Sequence, residues 1–421
     1  MGEKRDIAGL WWLPTNPTDR WVGTLTLSED ASPKLRVTVP KNAFQVGESS
    51  APVVIHGQDQ NGSPITLLTL TWPRAKGGML LSQVDYSAHY AILNLQVLSR
   101  SEFQVNELVF RLQHLQEWFG VTGFQDAASD SNQEGLSIRH KNPKDEFFQI
   151  TEDLSISFRP GYTMHHGLHE RKIGESLCVA FASKKGLDLS ACKDLLSDFR
   201  LLLHFATLRE NYPLEIRARK DGHGFTHDGR FYRDDIEIWN SIIKGEVEAD
   251  WHPDGWIYKF ADIRERFSEF FANWIKLTEV QEEALNCYCS TVYHRLPSPI
   301  EHLCLAQALE AYYGIKFATE KAVYFREKIE ALTQKYSEQL KGLVDDAAEF
   351  ADIVRDNRNY YTHHDPEIIK KGRIVSGSKL IRLNEKLRLL FQMCVLAEMG
   401  IPTERFHRLR HQLASVIIDL E

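Results

Sequence analysis

The sequence predicts an α+β protein: a β-rich, antiparallel, sandwich-like region at the N-terminus, followed by a C-terminal α-helical bundle. Three observations predict it. Apolar residues alternate with polar ones in short runs from Trp21 to about Phe158. Steps of three and four take over from about residue 189. A proline-bearing helix start at 298 then opens a series of long amphipathic segments. The chain divides accordingly into a β-rich region at 1–160, a mixed α/β middle region at 161–297 grouped with the N-terminal module, and a helical domain at 298–421. A length of 421 residues accommodates two or three domains, and a hydrophobic fraction of 43% is ordinary for a globular protein.

The strands come first. Leu25 with Leu27, then Leu35, Val37 and Val39, then Leu93, Leu95 and Val97, then Leu154, Ile156 and Phe158 each line one face of an extended segment. Successive side chains of a strand point to opposite faces, so a period of two marks a half-buried strand. QDQNGSP at 58–64 supplies turn chemistry between two of them. Val105 to Phe119 predicts one interrupting helix. DAASDSNQEG at 126–135 and KDGHGFTHDGR at 220–230 predict loops. Trp11, Trp12 and Trp21 are expected in the β core, although indoles also stack on nucleic-acid bases.

Helical periodicity begins at 189–208 and returns across 262–294, where Ile263, Phe267, Phe270, Phe271, Trp274 and Leu277 share a side. In LPSPIEH, Ser298 fits an N-cap, Pro299 the first helical position and Glu301 the closing acid of a capping box. Helices are expected near 299–314, 319–341, 343–363, 377–399 and 403–420, with Gly400 and Pro402 punctuating the last turn. Short connections make this an up-and-down bundle.

Composition excludes several classes. A net charge of -8 argues against a protein that coats nucleic acid by bulk attraction. One local candidate patch exists at 371–410, with nine Lys or Arg (371, 373, 379, 382, 386, 388, 405, 408, 410) against three Glu (385, 398, 404). On charge alone it reads as a solvated pair of helix faces. Six scattered cysteines fit reduced thiols, no apolar run reaches membrane-spanning length, and MGEKRDIAGLWWLP lacks the apolar core of a secretory signal. A cytoplasmic location is therefore expected. There is no GxxxxGK[ST], GxGxxG or GxSxG motif, so nucleotide-cofactor and acyl-transfer chemistry have no anchor, and no cofactor is expected. His165, His166 and His169, and Cys287 with Cys289 and His294, lack a full tetrahedral metal set and are read as structural or solvated, so no metal is expected.

Chemistry concentrates in RDNRNYYTHHD. The apolar stripe Leu343, Ala347, Phe350, Ala351, Val354 runs on to Arg358 and Tyr361, so Arg358 falls where a core residue is expected. A guanidinium binds phosphate through fixed donors, and an imidazole moves a proton near neutral pH, so Arg358 with His363 suits metal-independent RNA cleavage. Asn359 lies four residues before His363, on its face of the helix. Arg358 and His363 are five apart, about 140° of rotation on an intact helix. Either Asp365, which precedes Pro366, unwinds the helix end, or two copies of the helix share a cleft. The neutral reading is a structural ion pair, with Asp352 or Asp356 among several acidic candidates. Arg159 to His165, Arg217 to His223 and Arg405 to His411 show that the bare spacing recurs by chance. The acidic approach, Asp345, Asp346, Glu349, Asp352 and Asp356, would repel RNA unless those faces point away.

RNYYTH, late in the third long helix of the C-terminal bundle, resembles the Arg-polar-x-x-x-His motif of HEPN domains. GLWWLPTNPTDRWVGTLTL resembles the N-terminal domain that accompanies HEPN modules in ApeA-like anti-phage proteins. Together the two resemblances cover most of the chain, with 150–295 matched loosely. They imply a dimeric or larger endoribonuclease that cuts tRNA or other cellular RNA during phage infection, set off by a phage-encoded trigger. They also imply that Arg358 and His363 are catalytic, supported by Asn359, with His364 or a second copy's His363 as proton donor. The products would be a 2′,3′-cyclic phosphate and a 5′-OH. The alternative is a catalytically silent module for dimerisation, RNA binding or phage sensing.

Overall fold

Alternating apolar side chains joined by short turns build the first part of the chain as antiparallel hairpins. The computed structural model describes residues 4–29, 31–40, 53–71, 74–77, 81–125, 139–166, 171–240, 256–317, 322–364 and 366–409. Its strands are β1 (Lys4–Leu13), β2 (Asn16–Ser28), β3 (Ala31–Pro40), β4 (Val54–Asp59), β5 (Pro64–Leu70), β6 (Arg74–Gly77), β7 (Leu81–Leu93), β8 (Val105–Leu112), β9 (Phe124–Gln125), β10 (Arg139–His140), β11 (Glu146–Gln149), β12 (Leu154–His166), β13 (Arg171–Leu187), β14 (Pro213–Arg219), β15 (Gly224–His227), β16 (Arg230–Arg233) and β17 (Ile236–Asn240). Its helices are α1 (Leu115–Phe119), α2 (Leu189–Thr207), α3 (Phe267–Val280), α4 (Glu282–Tyr293), α5 (Ser298–Lys316), α6 (Phe325–Lys335), α7 (Ser337–Leu340), α8 (Ala347–His363), α9 (Pro366–Ile369) and α10 (Ser378–Glu398). Contacts divide the chain into two compact units. One is drawn from 1–117, 121–200 and 211–251, the other from 118–120, 201–210 and 252–421.

In the first unit the main sheet runs β11-β12-β13-β8-β14-β17-β7-β3-β2-β1-β4-β5, with β6 beside β7. A further pairing of β5 with β7 closes β7, β3, β2, β1, β4 and β5 into a six-stranded barrel. Closure removes the exposed strand edges that an open sheet would present. The barrel is filled by the alternating residues the sequence singled out: Leu25, Leu27, Leu35, Val37 and Val39, with Trp11 and Trp21 among them. Trp12 is buried as well. The Trp11 indole occupies the space beside Gly57, where a Cβ would stand 2.3 Å from the ring, so that position must lack a side chain.

Three local expectations fail here. The segment 105–119 is strand β8 followed by the single-turn helix α1. β8 lies between β13 and β14 and is buried along both faces, so its apolar residues lose the period of two and mimic a helical run. Leu95 and Val97 stay buried but lie beyond the end of β7. The predicted loop at 220–230 carries the hairpin β15–β16, and the segment 126–135 lies outside the described residues.

The second unit is helical, as expected. α5 packs on α4 and α10, and α8 packs on α5 and α6. Leu305, Leu309, Ile329, Phe350, Val354 and Leu390 are buried in it. The 319–341 expectation resolves into α6 and α7, and after Pro402 only a 3-10 turn at Thr403–Phe406 and helical residues to 409 are described. Ser298 does not cap α5. The Glu301 carboxylate instead takes hydrogen bonds from Asn384 Nδ2 (3.1 Å) and the Arg388 guanidinium. A largely buried guanidinium needs a counter-charge more than an exposed helix end needs its cap. A second buried network fixes a histidine. Gln392 Nε2 donates to the Tyr288 hydroxyl (2.7 Å), which therefore donates to His204 Nε2 (2.8 Å), leaving His204 Nδ1–H to donate to the Arg209 carbonyl (3.0 Å). Burial pushes the His204 pKa down to about 4, so the ring is neutral.

Candidate active site at the end of a bundle helix

Helix α8 starts at Asp346, whose carboxylate accepts from the Ala348 (2.7 Å) and Glu349 (3.0 Å) amides. That is an N-cap the acidic run supplies by itself. The helix continues intact through His363 and stops at His364, which takes left-handed backbone angles (φ 51, ψ 35) while its N–H donates to the Tyr360 carbonyl. Asp365, the residue expected to unwind the end, lies outside the described residues. Because the helix stays regular to His363, the rotation of about 140° between Arg358 and His363 persists, and one copy does not aim both groups at one point.

Arg358 turns toward α5 and α6. Its Nη2 donates to Glu310 Oε2 at 2.9 Å, and its guanidinium carbon lies 4.6 Å from the centre of the Phe325 ring. Lys328 Nζ approaches the other Glu310 oxygen at 3.7 Å. The expected ion pair is thus present, with Glu310 of α5 as the acid and not Asp352 or Asp356. The core position assigned to Arg358 belongs to Asn357, which is fully buried, whereas the Arg358 side chain keeps 32% of its surface exposed. A pair this exposed contributes about 0–1 kcal/mol, so it does not lock the arginine.

Asn357 is the residue that sequence reasoning missed. Its Nδ2 donates to the Ile353 (2.8 Å) and Arg373 (2.9 Å) carbonyls, and its Oδ1 accepts from the Val375 amide (2.9 Å). The Tyr361 hydroxyl donates to the Val375 carbonyl at 2.6 Å. These bonds strap the 373–375 segment along α8. The stripe itself carried the signal, since Asn357 stands three residues after Val354.

Of the five acids of the approach, Asp352 and Asp356 are neutralised by cations, whereas Asp345, Asp346 and Glu349 are exposed. Asp352 takes Arg326 (2.9 Å) and Arg355 (2.9 Å), and Asp356, only 1% exposed, takes Arg355 (2.7 Å) with Lys371 and Arg373 nearby. The Arg326 hydrogen bond holds the Asp352 carboxyl below its usual range. Much of the 371–410 patch is likewise engaged. Besides Lys371 and Arg373, Arg388 holds Glu301, Arg405 holds Asp262, and Arg408 donates to the Trp256 carbonyl. The competing Arg-to-His spacings begin at ion-paired arginines: Arg159 with Glu107, Arg217 with Asp235, and Arg405 with Asp262.

The end of α8 differs. Thr362, His363 and His364 are exposed, as are Lys370 and Lys371 beyond them. The His363 imidazole and the half-buried Asn359 side chain have no hydrogen-bond partner among the described residues. The His364 ring meets the Tyr360 ring edge-on at 5.6 Å. One histidine of the bundle is spent structurally. His302 is fully buried, its Nδ1 lies 3.0 Å from Asn384 Oδ1, and burial pushes its pKa down. Among the described residues no cluster of three His, Cys, Asp or Glu is arranged to hold a metal, and no helix is long and apolar enough to cross a membrane.

These features define a two-part class: an antiparallel β module followed by a helical bundle with an Arg-x4-His pair late in one helix. The family model for ApeA N-terminal domain 1 matches residues 6–274, and that for the Apea-like HEPN domain matches residues 303–405. The chain belongs to the ApeA N-terminal domain 1 family and carries an Apea-like HEPN domain, a family of RNases often found in anti-phage defence. No curated protein and no solved structure matches it.

Proposed function

We propose that the protein is a metal-independent HEPN endoribonuclease that cleaves tRNA or other cellular RNA in the cytoplasm as an abortive-infection effector. The observation that carries this reading is the last turn of α8. His363 is exposed and its imidazole is unpartnered among the described residues, beside an exposed stretch that carries Glu367, Lys370 and Lys371. In the reaction His363 takes the proton of a ribose 2′-OH, and the 2′-oxygen attacks the adjacent phosphorus. Arg358, held at Glu310 through one terminal nitrogen, offers its other N–H donors to the charge gathering on the phosphate oxygens. The P–O5′ bond breaks, and the leaving oxygen takes a proton from an acid. A 2′,3′-cyclic phosphate and a 5′-OH result. Since an intact α8 separates Arg358 from His363, the reaction calls for a dimer or larger assembly in which two copies share a cleft, with the second His363 or His364 as the acid. Asn359, four residues before His363, is assigned a supporting role, although its side chain makes no hydrogen bond to that imidazole within one copy.

The Arg358–Glu310 pair and the Phe325 stack favour a second reading, a catalytically silent module for dimerisation, RNA binding or sensing of a phage-encoded trigger. Incubating tRNA with the wild type, Arg358→Ala and His363→Ala in EDTA, with and without extract from phage-infected cells to supply any trigger, separates the two. Cutting by the wild type alone supports the nuclease. Equal inactivity of all three under both conditions supports the silent module.

A further inference from the structure

In the first unit, α2 from Leu189 to Arg200 and the strands β7, β8, β14 and β17 line an open cleft of about 530 Å3. That volume lies within the roughly 300–1,000 Å3 typical of small-molecule sites. Its floor is aliphatic, with Leu108, Ile216 and Ile238 coming from three adjacent strands, β8, β14 and β17. Three cations, Arg100, Lys193 and Arg200, line it against a single carboxylate, Asp188, among the described residues. Asp188 is already engaged, since its Oδ1 accepts from the Ala191 amide at 2.8 Å.

Two of the cations are set before any ligand arrives. Arg100 Nε donates to Thr69 Oγ1 at 2.9 Å, and its guanidinium lies 5.8 Å from the centre of the Tyr90 ring, which also lines the cleft. Arg200 Nε donates to the Asn211 carbonyl at 2.7 Å. Fixed donors lower the ordering cost of binding. The small hydroxyls of Ser101, Ser190 and Ser197 stand exposed along its rim, where larger side chains would narrow it.

We propose that this cleft binds a mononucleotide, with the base on the aliphatic floor beside Tyr90 and the phosphate among the three cations. An acyl chain fits poorly, because hydroxyls and charges interrupt the apolar surface. A bare anion leaves the floor unused. Neither the site nor its ligand follows from the nuclease reading, and the test reads binding rather than cleavage.

The test is calorimetric titration of the full chain with each of the four ribonucleoside 5′-monophosphates, beside adenosine and inorganic phosphate. At least one monophosphate is expected to bind saturably, and about tenfold or more tighter than adenosine or phosphate alone. Lys193→Glu, at an exposed helix position, is expected to weaken it by about tenfold, and Ser197→Trp, also exposed, to block it. Circular dichroism melting should show both variants folded. Saturable binding lost in both variants supports the site. No saturable binding of any monophosphate, phosphate binding as tightly as the nucleotide, or binding unchanged in both folded variants each overturns it.

Discussion

The body of α8 and its last turn treat polar side chains in opposite ways. In the body, Asp352, Asp356 and Asn357 are each consumed by partners from the helix itself, from α6 and from the 371–375 segment. In the last turn, Thr362, His363 and His364 face solvent, and the His363 imidazole has no partner among the described residues. Burial explains the first pattern, since a polar group taken out of water must be paired or it destabilises the fold by about 1–3 kcal/mol. It does not explain the second. On the proposed function, the two exposed imidazoles at this helix end serve chemistry. The contrast predicts that stability and activity are separable along a single helix.

The largest expected effect is on activity. His363→Ala should lower RNA cleavage by about 10²–10⁴-fold, the range for losing a positioned acid or base, while leaving the denaturation midpoint of the protein unchanged. Gel assays of cleaved RNA beside chemical denaturation measure both halves. A stability loss as large as that of a core substitution would erase the distinction between the two ends.

The mirror-image variant is Asn357→Ala. It leaves the Val375 amide and the Arg373 carbonyl without their partner and should destabilise the helical unit by about 3 kcal/mol. Cleavage by the fraction still folded should change little. Urea unfolding followed by far-UV circular dichroism gives the first number. A midpoint equal to the wild type would mean that the strap along α8 holds nothing.

How far the sequence reveals this divide can be traced residue by residue. The buried stripe through Phe350, Ala351 and Val354 is legible because helical periodicity is local. So are β2, β3 and β12, whose alternation follows from having one face in the core. β8 is not, because a central strand buried on both sides loses its alternation, and barrel closure through β5 and β7 depends on pairing between segments that no local pattern announces. At the candidate site the Arg-x4-His spacing is legible. The Glu310 and Phe325 contacts of Arg358 are not, since they belong to other helices, and the stripe admits both Asn357, three residues after Val354, and Arg358, four after it.

Histidines extend the comparison to pH. His204 is held neutral, with its pKa pushed to about 4 by burial, against about 6.5 for an unperturbed imidazole. Between those values the unfolded chain binds more protons than the folded one, so stability is complete above pH 6.5 and declines as pH falls toward 4. The loss reaches on the order of 3 kcal/mol at pH 4. His204→Gln, which costs stability at neutral pH, should flatten that slope. Urea midpoints for both proteins at pH 7 and pH 4.5 test this, and parallel slopes would rule His204 out as the source.

The smallest effect falls at the junction of the two regimes. His364 ends α8 with φ 51, a left-handed conformation that glycine adopts without a Cβ penalty. His364→Gly should therefore be neutral or stabilise the helix end by up to about 1 kcal/mol, less the extra entropy glycine brings to the unfolded chain. Its effect on cleavage then decides the second proton. If the partner copy's His363 protonates the leaving 5′-oxygen, His364→Gly keeps near wild-type rates. If His364 is that acid, the rate falls by about 10²-fold or more while stability holds or rises, a combination that a merely structural residue cannot produce.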